Sequence, residues 1–155
     1  MKSILCLLVS LFITILPNAN ANEVDFDYNT FAKQYFDTWV KTQLPTATKE
    51  DLENYLSLLT ADVAWQHIPY QPDDERRPSG KQDLRKGMTR WLAANTEYKA
   101  ELIDVLFGDD VIILKLSAQA KFADSEGELV SRERNYVDVL ELDKGKVSII
   151  RRYGK

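Results

Sequence analysis

Two side chains of this sequence have the chemistry for proton transfer. His67 is the only histidine among the 155 residues, and an imidazole exchanges protons near neutral pH. Asp138 lies among apolar neighbours in residues 136–140, where loss of water would favour the neutral form of its carboxyl group. A neutral carboxyl group can donate a hydrogen bond to negative charge developing on a substrate. We therefore predict that His67 acts as a general base and that Asp138 stabilises an oxyanion.

Each of these residues also has a structural alternative. Asp138 could form a salt bridge with Arg134, Arg151 or Arg152, or it could be exposed to solvent. His67 could be a hydrogen-bonded residue at the end of a strand. The sequence alone leaves both alternatives open.

Several aromatic and basic side chains are predicted to line a binding site for a small molecule. The predicted ligand contacts are Trp39, Tyr55, Trp65, Arg134 and Tyr136. Indole rings in such a wall would favour a flat, apolar ligand, and a small apolar molecule is the predicted partner. The alternative for the aromatic residues is packing in the core. Arg134 could neutralise an anionic ligand, or it could lie on a solvated strip or a strip that faces a second copy.

The sequence predicts neither a metal site nor a cofactor. Zinc sites need several Cys or His ligands, and the chain has one His and one Cys, Cys6. Its few glycines are scattered and form no phosphate-binding loop. Any chemistry would therefore depend on the protein's own side chains.

Helical periodicity marks three segments that would position these residues. Apolar side chains form a broad face over residues 29–41, which predicts a helix. Thr48 and Asp51 resemble a capping box before a second, shorter helix. Ser79 and Gln82 form a similar pair before a third helix. The apolar face of that helix consists of Leu84, Met88, Trp91 and Leu92.

The remaining segments alternate with a period of two, which is typical of strands. A short strand is predicted at residues 63–68, and longer ones follow at 98–107, 111–122, 129–142 and 146–153. Short turns between the four long strands predict antiparallel hairpins in a curved sheet. Helices that pack on the concave side of such a sheet give an α+β cone with a pocket at its open end.

This order of elements resembles the nuclear transport factor 2-like superfamily, in particular its SnoaL-like and ketosteroid isomerase-like members. The clearest local matches are residues 58–65, 78–85 and 137–147, and the resemblance covers nearly all of residues 22–155. It implies a cone-shaped α+β barrel in which three N-terminal helices pack on a curved, mainly antiparallel sheet. It also implies a pocket for a small molecule inside the cone.

The resemblance also implies roles for single residues. The first-helix tyrosine that donates a hydrogen bond to the oxyanion corresponds to Tyr35. The aspartate that acts as general base corresponds to His67, with Ile68 inserted before Pro69. The protonated aspartic acid of the isomerase, a known case of a carboxyl group kept neutral by an apolar site, corresponds to Asp138. Tyr35, His67 and Asp138 are thus the predicted catalytic residues.

The N-terminal residues have the features of an export signal. Lys2 precedes an apolar run that ends at Pro17, and residues 19–21 have the small-x-small pattern of a cleavage site. We expect residues 1–21 to be a signal peptide and residues 22–155 to form one domain, most simply in a bacterial periplasm, with secretion as the alternative. The formal net charge of −4 argues against nucleic acid and anionic membranes as partners of the mature chain.

Three functional hypotheses follow from the sequence. The first is an exported domain that catalyses cofactor-free isomerisation, cyclisation or dehydration of a small apolar substrate. The second is a non-catalytic domain that binds such a molecule. The third is an interaction module that forms a homodimer through the outer face of the sheet, with Ile113, Val137 and Val139 in the interface.

Overall fold

The computed structural model describes residues 26–154, so the predicted signal peptide lies outside the described residues. Three helices and five strands follow one another along the chain. In order, they are α1 (Tyr28–Lys41), α2 (Lys49–Ser57), β1 (Leu59–Ile68), α3 (Gly80–Thr89), β2 (Asn95–Gly108), β3 (Val111–Ala123), β4 (Leu129–Asp143) and β5 (Lys146–Tyr153). None of the described helices has both the length and the apolar character needed to cross a membrane.

The first two helices begin at side chains that bind their free backbone N–H groups. The carboxylate of Asp27 accepts a hydrogen bond from the backbone N–H of Thr30, at 3.0 Å, and α1 starts there. At α2, Thr48 and Asp51 form the capping box that the sequence predicts, with each side chain binding the other residue's backbone N–H. Such caps stabilise a helix start by about 1 kcal/mol.

The third helix begins differently from the prediction. The predicted capping box of Ser79 and Gln82 is wrong, because the Ser79 side chain caps no backbone N–H and instead donates to the carboxylate of Asp83. Helix α3 starts where Gly80 packs directly on β1. A Cβ at Gly80 would lie 2.2 Å from the carbonyl oxygen of Val63, so only a glycine fits this close approach.

The five strands form one sheet in the order β1-β5-β4-β3-β2. The four long strands pair antiparallel as predicted, whereas β1 pairs parallel with β5 at the opposite edge from β2. Strand β1 begins at Leu59, earlier than the predicted start at Val63, because Leu59 pairs with Val147 beyond an irregularity in the register. The sheet stays open, since no described strand joins β1 to β2.

The core lies between the concave face of the sheet and helices α1 and α2. Alternate residues of β3, namely Ile112, Leu114 and Leu116, are almost completely buried, and β4 contributes Leu140. The residues between them, including Ile113, Val137 and Val139, face the outer side of the sheet. This architecture confirms the predicted α+β class with three helices packed on a curved, mainly antiparallel sheet.

Candidate functional site

A cavity of about 470 Å³ lies between α3, strand β1 and the loop that joins them. Aromatic and apolar side chains form much of its wall. They are Trp39 from α1, Tyr55 from α2, Val63, Ala64 and Trp65 from β1, and Leu84, Met88 and Trp91 from α3 or just after it. The guanidinium of Arg152, from β5, reaches the same cavity from the sheet.

Helix α3 lines the cavity and packs only partly against the core. No residue of α3 is fully buried, and its face of Leu84, Gly87 and Met88 opens on the cavity. Trp91 follows at helical spacing on that face and is 72% exposed. The apolar face that the sequence predicts for this helix therefore packs in part against the core and in part lines the cavity.

The floor of the cavity is an ion pair buried between β4 and β5. Arg152 pairs with Asp138 across the two strands, and its Nε and Nη2 donate to the two carboxylate oxygens at 2.8 and 2.6 Å. Asp138 is 0% exposed and Arg152 is 7% exposed. The structure thus shows the salt-bridge alternative. Both Asp138 oxygens accept hydrogen bonds, so the carboxyl group is not the neutral donor that the sequence predicts.

Three aromatic rings surround the Arg152 guanidinium. Its Cζ lies 4.4 Å from the centroid of Trp39 and 4.6 Å from that of Tyr136. Trp65 lies on a third side at 5.5 Å. Burial opposes the charged guanidinium, but the charge and hydrogen bonds of Asp138 outweigh it and raise the pKa of Arg152. Arg152 therefore stays charged and is held in one orientation.

One nitrogen of Arg152 remains available to the cavity. The ion pair uses Nε and Nη2, and Nη1 donates to no acceptor among residues 26–154. Within those residues, the only completely enclosed side-chain N or O atoms without a partner are Thr60 Oγ1 and His67 Nε2. Nη1 is not among these enclosed atoms and Arg152 lines the cavity, so Nη1 is the guanidinium nitrogen left to donate to a ligand acceptor.

Two tyrosine hydroxyl groups form a second polar feature beside the ion pair at the floor of the cavity. The hydroxyl groups of Tyr35 and Tyr55 are 3.0 Å apart, and both side chains are 1% exposed. Burial is the main cause that raises the pKa of Tyr55 to about 12 and that of Tyr35 well above its usual value. Both are therefore neutral at physiological pH. Tyr55 lines the cavity, whereas Tyr35 lies behind it in α1.

The rim of the cavity carries an excess of negative charge. Asp73, Glu75 and Asp83 lie there with a single basic residue, Arg77. The guanidinium of Arg77 pairs with Asp73 at 2.6 Å and with Glu75 at 2.9 Å. Because the floor pair is neutral overall, the charged side chains at the cavity sum to a net negative value.

His67 does not line this cavity. Its ring packs against Trp65, Tyr70 and Tyr136, with centroids 6.0, 5.2 and 6.2 Å away. Its Nε2 is enclosed and has no hydrogen-bond partner in the described chain. Burial, followed by the charges of Arg152 and Arg134, lowers the pKa of His67.

The predicted catalytic residues therefore do not converge on the cavity. Tyr35 is hidden behind Tyr55, Asp138 is bound to Arg152, and His67 lies beyond Trp65. Of the predicted ligand contacts, Trp39, Tyr55 and Trp65 line the cavity. Tyr136 packs under Arg152, and Arg134 lies further along β4.

Arg152 is the residue that sequence reasoning missed as a ligand contact. The sequence named it only as one of three salt-bridge partners for Asp138. A signal does exist, because alternation in β5 places Arg152 on the same face as the buried Ile150.

Among residues 26–154, no three His, Cys, Asp or Glu side chains are close enough to hold a metal ion.

No family sequence model matches the chain, and no curated protein matches it either. Similar solved structures do exist. A nuclear transport factor 2-like protein of unknown function from Exiguobacterium sp. 255-15 superposes with a TM-score of 0.60 at 13% identity, over 81% of this chain and 98% of that one. A cystatin-fold protein from Novosphingobium aromaticivorans gives 0.60 at 20% identity, over 79% and 94%.

A third similar structure belongs to an enzyme. An LEH-like epoxide hydrolase from M. tuberculosis superposes with a TM-score of 0.59 at 12% identity, over 81% of this chain and 84% of that one. At these identities the likeness concerns the fold alone. The described chain has the nuclear transport factor 2-like, or cystatin-like, fold that the resemblance in its sequence implies.

Proposed function

We propose that this chain, with its nuclear transport factor 2-like fold, is a binding domain for a small, flat, mostly apolar molecule that carries a hydrogen-bond acceptor. One observation carries the proposal. Arg152 lines a cavity that four aromatic side chains also line, and its Nη1 makes no hydrogen bond within residues 26–154. A ligand carbonyl or ether oxygen at that point would complete the donor set of the guanidinium.

The aromatic wall supports a flat ligand body. Trp39 and Trp65 lie at the floor, and Trp91 stands exposed at the mouth, so a planar ring system can contact indole faces along the depth of the cavity. Burial of apolar surface contributes about 25 cal/mol per Å². Most of the affinity would therefore come from these walls, while Arg152 would fix the orientation of the ligand.

The charges at the cavity favour a neutral ligand over an anion. Arg152 is already neutralised by Asp138, and the rim adds three carboxylates against the single Arg77. An anionic ligand would be repelled by the rim without finding an unpaired cation at the floor. A ketone or similar neutral acceptor avoids this repulsion and still binds Nη1.

Binding is better supported than the predicted proton transfer. A general base must come within hydrogen-bond reach of the proton that it removes, and His67 does not line the cavity. An enzyme such as the LEH-like epoxide hydrolase shares the fold, so catalysis by other members is no argument against binding here. Turnover that depended on His67 or Asp138, with folding intact in the variants, would contradict the proposal.

The test uses a pair of probes and a pair of variants. Methyl naphthyl ketone is expected to bind, and ethylnaphthalene, which lacks the acceptor, is expected to bind roughly tenfold more weakly. The titration is followed by quenching of tryptophan fluorescence. Equal affinity for the two probes would remove the role assigned to Arg152.

The variants at Gly87 locate the binding site. Gly87 lies in the middle of the cavity face of α3, and a Cβ there would meet no atom within 4 Å. Gly87→Phe is expected to fill the cavity and abolish ketone binding, whereas Gly87→Ala leaves the space open and serves as the matched control. Undiminished binding to a folded Gly87→Phe protein would exclude this cavity.

We further propose that the chain is exported, which rests on the sequence pattern of residues 1–21. Expression of the full chain in a bacterium and mass determination of the periplasmic product test this. The expected product begins at Asn22. A product of full length that stays in the cytoplasm would contradict it.

A further inference from the structure

Strands β2, β3 and β4 extend beyond the end of β5, and this extension carries a second feature. Strand β5 ends at Tyr153, which pairs with Val137, so residues 129–136 of β4 pair with β3 alone. The concave face of this extension is not used by the cavity. Two arginines, Arg132 and Arg134, lie on it, because they alternate in phase with the inward-facing Tyr136 and Asp138.

Neither arginine has an acidic partner in the described part of the chain. No carboxylate oxygen among residues 26–154 lies within 4.0 Å of Arg132 or Arg134, although most other described arginines are paired. The residues opposite them on β3 are Ala120 and Ala118. Neither alanine side chain can pair with a guanidinium; Ala118 is only 6% exposed and Ala120 is half-buried, so neighbouring side chains already cover part of this surface.

The acidic side chain on the same face of β4, Asp138, is already bound to Arg152, and two other nearby carboxylates lie on the opposite face. Glu133 alternates with the two arginines and therefore faces outward, and Glu97 binds Lys121 on that same outer side at 2.8 Å. The concave face thus carries two positive charges that form no ion pair within residues 26–154, in contrast to the negative rim of the cavity.

Aromatic rings flank the two arginines. The Arg132 Cζ lies 4.9 Å from the centroid of Phe122, so the guanidinium rests on a ring. Tyr136 follows Arg134 on the same face of β4, and the nearby His67 ring contacts both Tyr136 and the 63% exposed Tyr70. A guanidinium stacked on a ring keeps its edge free for two parallel hydrogen bonds to an oxyanion.

We propose that Arg132 and Arg134 form an anion-binding strip on the concave face of the β3–β4 hairpin, which receives the carboxylate or phosphate group of a small aromatic molecule. The two guanidinium groups supply the donors, while Phe122 and Tyr136 offer apolar surface beside them. This strip is separate from the cavity, and its existence does not depend on what the cavity binds.

The test compares charged and neutral probes of one shape. Naphthoate and naphthyl phosphate are expected to bind, and neutral naphthamide is expected to bind at least roughly tenfold more weakly. Amide shift mapping by NMR should place the bound anions at residues 118–136. Raising the salt concentration from about 50 mM to about 300 mM should weaken binding of both anions, because the strip is open to solvent.

Matched variants distinguish the strip from a general charge effect. Arg132→Gln/Arg134→Gln should reduce naphthoate affinity at least roughly tenfold and leave the melting temperature nearly unchanged, since neither side chain is buried. The control is Lys115→Gln, which removes an exposed positive charge from the outer face of β3. Equal affinity in the double variant and the native protein, or an equal loss in the control, would overturn the proposal.

The proposal for the cavity and the proposal for the strip can be disproved independently of each other. Gly87→Phe should block methyl naphthyl ketone in the cavity and leave naphthoate on the strip. If naphthoate binding is lost in Gly87→Phe and kept in the double arginine variant, the anion sits in the cavity and the strip is wrong. If naphthyl phosphate binds and naphthoate does not, the strip stands with phosphate as the preferred group.

Discussion

The Asp138 carboxylate and the Arg152 guanidinium are joined by two hydrogen bonds of 2.8 and 2.6 Å inside the domain. The pair occupies the place where the sequence predicts a neutral acid. The buried carboxylate holds the orientation of Arg152 and leaves Nη1 without a hydrogen bond within residues 26–154. The chemistry of the site follows from this relationship.

Breaking the pair from one side should strongly destabilise the domain. Asp138→Leu leaves the Arg152 charge buried without its partner, and such losses are about 3–5 kcal/mol. The double variant Asp138→Leu/Arg152→Leu is expected to be more stable than either single variant, because it leaves no unpaired charge. Urea unfolding of all four proteins measures the coupling, and additive single effects would contradict this view of the pair.

Gly87→Ala should stabilise the protein. Gly87 lies within α3, where alanine is favoured over glycine by roughly 0.5–1 kcal/mol, and the added Cβ meets no atom within 4 Å. Thermal unfolding should therefore show a higher melting temperature with ligand binding unchanged. A lower melting temperature would mean that the space beside Gly87 is not open.

Gly80→Ala should have the opposite effect, although it is the same substitution in the same helix. The new Cβ would lie 2.2 Å from the Val63 carbonyl oxygen and 2.9 Å from the Asp62 carbonyl carbon, and both are backbone atoms. Helix α3 must shift away from β1, at a cost of about 1–3 kcal/mol. Chemical denaturation alongside Gly87→Ala checks the contrast, and equal stabilities of the two variants would refute it.

The single histidine gives a clean pH test. Burial, with the charges of Arg152 and Arg134, lowers the pKa of His67 below its ordinary value of 6.5. The unfolded chain then binds more protons than the folded chain between the two pKa values, so stability rises with pH through that window and levels off above the unfolded pKa. The imidazole NMR signals of the folded protein should titrate with a midpoint below 6.5.

A variant of a neighbouring residue provides the control for His67. Tyr70 packs against the imidazole at 5.2 Å and is itself largely exposed. Tyr70→Ala should let water reach the ring, and the titration midpoint should move up toward that of a free histidine. A midpoint in the native protein at or above the ordinary value would contradict the enclosed position of His67.

Local sequence patterns predict most of the helices and strands of this fold. The apolar period of residues 29–41 predicts α1, the Thr48 and Asp51 pair marks the start of α2, and the two-residue alternation predicts the long strands of the meander. Such patterns are readable because backbone geometry fixes which neighbours share a face. The same alternation correctly places Arg134, Tyr136 and Asp138 on one side of β4.

The tertiary structure alone decided what those faces meet. Residue alternation puts Asp138 on one face with Arg134 and Tyr136, but only the packed sheet shows that this face is buried. The register of β4 with β5 then selects Arg152 as its partner. Likewise, the period of α3 predicts an apolar face, but only the packing of α3 on β1 at Gly80 shows that this face lines a cavity as well as contacting the core. Side-chain faces are set by local geometry, whereas partners and empty space are set by long-range packing, which no single segment encodes.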